Sequence, residues 1–190
     1  MTTPSQTVGP FFGFALPYEG GWELVPEGHP GAVTITGRVL DGAGEPVPDA
    51  LLELWTGEPG GFGPRGSGSA GSGGGAFRGD GSGSAGSGRN GSGRGEFGGG
   101  GFGRCATEPD GSYRFRVSPP ARPYLPLLVF ARGLLKPVRT RVYLADVPDP
   151  LLGSLEPDRR ATLLARADGK DAYRFDVRLQ GERETVFLDF

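Results

Sequence analysis

Alternation of apolar and polar residues is the dominant signal along this chain. In residues 32–41, AVTITGRVLD, positions Val33, Ile35, Gly37 and Val39 share one side. Period-two alternation with β-branched residues predicts a strand with one buried face. The stretch GAGEPVPDA follows and carries the Gly and Pro residues that turn a chain. Residues 50–56, ALLELWT, are almost continuously apolar, as expected of a strand buried on both faces. Together these stretches read as two antiparallel strands joined by a turn.

The alternation stops at Gly57 and resumes near Gly103. The tract between is Gly/Ser-rich with no periodicity. It cannot bury enough apolar surface to offset its conformational entropy. We expect a long disordered loop over 57–103, an insertion in which Phe77 and Phe97 are incidental. A coil of about 40 residues has an end-to-end distance of roughly 35 Å and imposes little geometry on its flanks.

Beyond it, Asp110-Gly111 predicts a tight turn before a strand over 112–117. Tyr113, Phe115 and Val117 share one face of that strand, Arg114 and Arg116 the other. SPPARP is stiff and extended. Residues 124–133, YLPLLVFARG, form an apolar strand, and 138–144, VRTRVYL, alternates cleanly. EPDRRATLLARA sets Pro157 at the start of the one short helix in the pattern. AYRFDVRLQGERETVFLDF predicts two closing strands around Gln180-Gly181. The fold class is therefore all-β: a β-sandwich of mostly antiparallel strands with one short helix and a long Gly/Ser-rich disordered loop. One domain spans 1–190, with 1–31 as an N-terminal arm and loop.

Composition sharpens this picture in one respect. The chain holds 37 glycines and 18 prolines in 190 residues, but much of the excess lies in the tract, so the remainder can build a core. A net charge of −2 argues against nucleic acid as the main partner. Lys136, Arg139 and Arg141 read as a solvated face. Cys105 is the one cysteine, which excludes a disulfide framework or a cysteine metal cluster. MTTPSQTVGP lacks the charged start and apolar core of a signal peptide, and no apolar run reaches membrane-spanning length. A cytoplasmic protein with no membrane partner is expected.

The residues offer little complete chemistry. His29, the single histidine, sits in the loop PEGHPGA and reads as a surface residue, so neither a nucleophile–histidine pair nor a zinc site can be assembled. GxGxxG-like matches in the glycine tract arise from its composition. Asp146 and Asp149 in ADVPDP read as a solvated loop pair.

Four stretches nevertheless carry a resemblance: PSQTVGPFF, TGRVLDGAGEPVPDALLELW, GFGRCATEPDGSYRFRV, and everything from LLVFARG to AYRFDVRLQGERETVFLDF. In these the chain resembles the intradiol ring-cleavage dioxygenases, and within them the alpha chains of the two-chain enzymes. The resemblance spans all but the Gly/Ser tract. It implies O2-dependent cleavage of 3,4-dihydroxybenzoate to 3-carboxy-cis,cis-muconate by a heteromer whose Fe(III) is bound by the partner beta chain, held there by two tyrosines and two histidines. This sequence departs from that ligand set. It has no tyrosine between Tyr18 and Tyr113 and none in SPPARP, and the His-x-His positions fall on Tyr124 and Pro126. The resemblance therefore implies a vestigial metal site in this chain.

It also implies a role for PSQTVGPFF. The arm would cross to the beta subunit, with Thr7, Gly9 and Pro10 lining the substrate pocket and Phe11 and Phe12 anchoring the arm across the interface. Gly9 permits close backbone approach, and Pro10 fixes direction without an N–H to satisfy. Arg132 would pair with the substrate carboxylate, for which a guanidinium is suited. Against these stand an ordinary N-terminal arm and a solvent-facing strand-end arginine. The alternative reading of the whole chain is a free-standing transthyretin-like β-sandwich binding module without catalytic activity.

Overall fold

The computed structural model describes Thr7, Gly9 and residues 11–56, 101–118 and 122–188. In chain order the described elements are α1 (Phe12–Ala15), β1 (Val33–Leu40), β2 (Leu51–Trp55), β3 (Phe102–Ala106), β4 (Ser112–Val117), β5 (Tyr124–Phe130), β6 (Val138–Tyr143), α2 (Pro150–Ser154), α3 (Pro157–Ala161), β7 (Arg166–Ala167), β8 (Ala172–Arg174) and β9 (Val177–Arg178). They form two sheets, one ordered β4-β1-β8-β7 with β9 also on β1, the other β3-β2-β5-β6. This is the expected β-sandwich.

The predicted alternation fixes the layers. Val33, Ile35 and Val39 of β1 and Tyr113, Phe115 and Val117 of β4 face Leu52, Leu54, Leu125, Leu127 and Val129 of the other sheet in one apolar cluster. Burying each of these large side chains contributes roughly 1.5–3 kcal/mol. A second cluster of Tyr143, Leu152, Leu163 and Val186 lies beside β6.

Strands β1 and β2 do not form the expected hairpin. The turn after β1 does close on it, through Val47 N donating to Val39 O at 2.9 Å and Asp41 Oδ1 accepting from the amides of Ala43 and Glu45. The chain then crosses to the opposite sheet. Pro46 and Pro48 have no N–H to continue a ladder, and apolar β2 is the strand between β3 and β5.

Both outer sides are covered by irregular chain. Gly21 and Trp22 offer carbonyls to the amides of Arg104 (2.7 Å) and Arg116 (2.9 Å), and Leu24 N donates back to Arg116 O. One short segment thus closes the exposed edges of both β3 and β4, which would otherwise invite pairing with another chain. On the far side, residues 163–165 and 188 bond to Tyr143 and Arg139 of β6.

Three other expectations are corrected. Two helices join the predicted α3: α2, capped by Asp149 and begun by Pro150, and α1 in the arm. The second closing strand reduces to a bridge between Arg139 and Leu188; Thr185 N donates to Arg178 O at 3.0 Å, but the return bond from Arg178 N goes to the Thr185 hydroxyl and not to a main-chain carbonyl. The glycine tract ends earlier than expected, at β3. Gly103 pairs with Leu54 of β2, and Leu24 packs where a side chain would stand, with its Cδ1 2.2 Å from an added Cβ. Residues 57–100, including Phe77 and Phe97, lie outside the described residues. Among the described residues no helix is long and apolar enough to cross a membrane.

Candidate functional site

The residues singled out in the sequence fall at three places. The first is the start of β5. Tyr124 is half-buried and stands opposite Tyr143 of β6, while buried Pro126 stands opposite Arg141. Alternation along β6 turns Arg139, Arg141 and Tyr143 to one side, and the Arg141 guanidinium lies 3.9 Å from the Tyr124 ring centroid. The two tyrosine rings are 5.5 Å apart. Tyr143 donates its hydroxyl to Asp149 Oδ1 at 2.8 Å, and Asp149 also accepts from the amides of Leu151 and Leu152.

Asp149 is therefore no solvated loop acid. Its side chain is 8% exposed, with Arg141 at 3.9 Å. Burial pushes its carboxyl up. The Tyr143 hydroxyl, two amides and Arg141 outweigh that, and it sits below the usual carboxylate range. Burial, reinforced by the bond to Asp149, pushes the Tyr143 phenol up to about 12. Asp146 is half-exposed and pairs with Arg160. Arg139 and Arg141 are likewise half-buried and not a solvated face; exposed Lys136 alone fits that description.

These residues do not fit a ferric ion. Pro126 has no donor, the Tyr124 ring is covered by a cation, and no group of three His, Cys, Asp or Glu among the described residues is placed to hold a metal. The signal that could have exposed this cluster was the β5–β6 register, which the two strands' alternation implies but does not fix.

The second place is the N-terminal arm. Thr7 and Gly9 are exposed, and Pro10 lies outside the described residues. Gly9 O accepts from Phe12 N at 3.4 Å. Phe12 is 8% exposed and turned to its own domain, so it does not anchor the arm outward. Phe11 and Phe14 project instead, 75% and 86% exposed, three residues apart on one face of the α1 turn. Behind α1, Arg104 of β3 donates to buried Glu53 of β2 and to the Leu16 carbonyl.

The third place is just past the end of β5. Arg132 is 72% exposed at the side chain and pairs with Asp49. It lies at the opposite end of β5 from Tyr124, roughly 20 Å along the strand. The structure thus does not bring Arg132 together with Tyr124 and Pro126. A groove of about 610 Å³ lies between residues 17–22 and strands β1, β3 and β4. The guanidinium groups in it are engaged: Arg38 with Asp110, Arg174 with Asp176, and Arg114 over Trp22 at 4.1 Å.

The fold is that of a dioxygenase domain. The chain is similar in structure to the dioxygenase domain of a dioxygenase–carbohydrate-binding fusion from Streptomyces sp. SirexAA-E, with a TM-score of 0.53 and 23% identity, covering 94% of this chain and 98% of that one. No protein-family model matches. The sequence is 33% identical to the protocatechuate 3,4-dioxygenase alpha chain of Burkholderia cepacia, covering 98% of this chain and 96% of the relative. It is 34% identical to the alpha chain of Pseudomonas putida, covering 99% and 96%. The chain belongs to the family of protocatechuate 3,4-dioxygenase alpha chains.

Proposed function

We propose that this chain is the alpha subunit of a heteromeric, cytoplasmic protocatechuate 3,4-dioxygenase, completing the substrate pocket of a beta subunit that holds the iron. The observation that carries the reading is identity to alpha chains along nearly the whole length. The cationic filling of the β5–β6 position, with Arg141 over Tyr124, supports placing the metal elsewhere. The partner's ferric iron would supply binding of the catecholate and its activation toward O2. Cleavage falls between the two hydroxyl-bearing carbons of 3,4-dihydroxybenzoate, and both oxygen atoms enter 3-carboxy-cis,cis-muconate.

The residues of this chain bind and orient. Arg132 projects its guanidinium into solvent from a strand end, where it can exchange Asp49 for the substrate carboxylate in a bidentate pair. Thr7, Gly9 and Pro10 line the pocket from the arm. Phe11 and Phe14 are apolar anchors of the kind that dominate an interface once desolvated. The test is paired expression, alone and with the neighbouring beta-like chain. A colourless, inactive single chain and a coloured complex that consumes oxygen with 3,4-dihydroxybenzoate are expected. A chain that never associates would sink this reading in favour of a free-standing binding module.

A further inference from the structure

Glu53 is on a central strand, 8% exposed, and a carboxylate so placed needs a paired cation. Arg104 stands directly opposite in the β2–β3 register. Its Nε donates to Glu53 Oε1 at 2.8 Å and its Nη2 to the same oxygen. The remaining arm of the fork, Nη1, donates to Leu16 O at 2.9 Å. Leu16 is the residue that ends α1, its own amide bonded to Phe12 O. The Phe102 ring, 5.3 Å from the guanidinium, restricts the fork further.

The main chain of Arg104 holds the same segment a second time, donating to Gly21 O at 2.7 Å. That approach requires glycine. A Cβ on Gly21 would stand 2.6 Å from Arg104 O, and one on Gly103 2.2 Å from Leu24 Cδ1. One residue thus grips the chain at Leu16 through its side chain and at Gly21 through its backbone.

We infer that Arg104, oriented by Glu53, is a positioning residue that sets where the N-terminal arm leaves the sandwich, and hence where the arm enters the partner's substrate pocket. The second half rests on the arm's role in the function proposed above. Lysine cannot do this work, because one ammonium group cannot serve a carboxylate and a carbonyl in a fixed fork.

The test uses the chain co-purified with its partner, in four forms: unaltered, Arg104→Lys, the apolar pair Arg104→Met with Glu53→Leu, and a deletion of residues 1–10. The paired variant removes both charges together and so avoids stranding a buried carboxylate. Amide exchange over 12–16 should quicken about tenfold in both substituted forms, the loss of one charge-assisted hydrogen bond, with β1 unaffected. KM for 3,4-dihydroxybenzoate should rise about tenfold, with iron content and kcat per iron unchanged. Unchanged exchange in both substituted forms overturns the grip itself, whatever the kinetics. Faster exchange with unchanged KM, where the deletion does raise KM, overturns the positioning role. A deletion that leaves KM unchanged overturns the arm as part of the pocket, while exchange still decides the grip.

Discussion

The Arg141 guanidinium lies over the Tyr124 ring, 3.9 Å from its centre, and its Nη1 reaches the Tyr143 hydroxyl at 3.4 Å. A fixed positive charge thus occupies the flank of β5 that the family resemblance assigns to a vestigial metal site. The contact with the ring is worth roughly 0.5–2 kcal/mol. Arg141 also faces a carboxylate with little access to water, Asp149.

Arg141→Ala should therefore lower stability by about 1–3 kcal/mol, since it removes a cation–π contact and leaves a buried carboxylate short of positive charge. Lys136→Ala, at an exposed position, should stay within about 0.5 kcal/mol. Urea midpoints at neutral pH distinguish them. Equal effects would mean that Arg141 is only a surface charge.

The Tyr143–Asp149 bond gives stability a pH signature. Tyr143 sits at about 12 when folded against about 10 when unfolded. Its contribution is present below pH 10 and is lost as pH rises through 12. Asp149 is depressed in the fold, so its contribution is present above the unfolded value of about 4 and is lost as pH falls below it. Urea midpoints across the pH range should show a shallower alkaline fall for Tyr143→Phe and a shallower acid fall for Asp149→Asn. Tyr143→Phe with an unchanged alkaline slope would remove Tyr143 from the titration.

Among the described residues Gly37 is the glycine with the closest contact to an added Cβ. An added Cβ would lie 1.8 Å from the Phe175 carbonyl oxygen, the same oxygen that accepts the buried Tyr113 hydroxyl at 2.6 Å. The connection between β8 and β9 is thus pressed onto β1, and Gly37→Ala must displace it. The expected cost is about 3 kcal/mol or more, the upper range of overpacking. Tyr113→Phe, which only removes the hydroxyl, should cost about 1–2 kcal/mol. Thermal unfolding of the two variants tests the order; a milder Gly37→Ala would show that this connection yields.

Much of this fold was legible in alternation. Val33, Ile35 and Val39, and then Tyr113, Phe115 and Val117, are buried as their spacing required. The pairing of strands was less legible, because adjacency in sequence does not fix which sheet a strand enters, and β2 left its neighbour for β3 and β5. The candidate site was legible by position but not by contact. Arg132 and Tyr124 were visible as residue types, yet their partners Asp49 and Arg141 come from other strands or turns. The Glu53–Arg104 pair was hidden because 50 residues separate its members, with the glycine tract between. Phe12 and Phe14 differ in burial through the short α1 turn, whose four residues are too few to show as a helical period in the sequence.

Arg132 offers the sharpest separation of stability from function. Its pair with Asp49 is largely solvated, and exposed ion pairs contribute at most about 1 kcal/mol, so Arg132→Ala should barely move the unfolding midpoint. Loss of a charge-assisted hydrogen bond to the substrate carboxylate corresponds to about 1.5–3 kcal/mol, or roughly ten- to hundredfold in KM. In the co-purified complex, KM for 3,4-dihydroxybenzoate should rise by that factor while iron content and kcat per iron hold, the pattern of lost uniform binding. Arg132→Lys should recover part of the loss but not the bidentate geometry. Asp49→Asn should act in the opposite direction, because it frees the guanidinium from a competing carboxylate, and KM should fall. Unchanged KM in Arg132→Ala would make Arg132 a solvent-facing strand-end residue and leave the carboxylate to be bound by the partner alone.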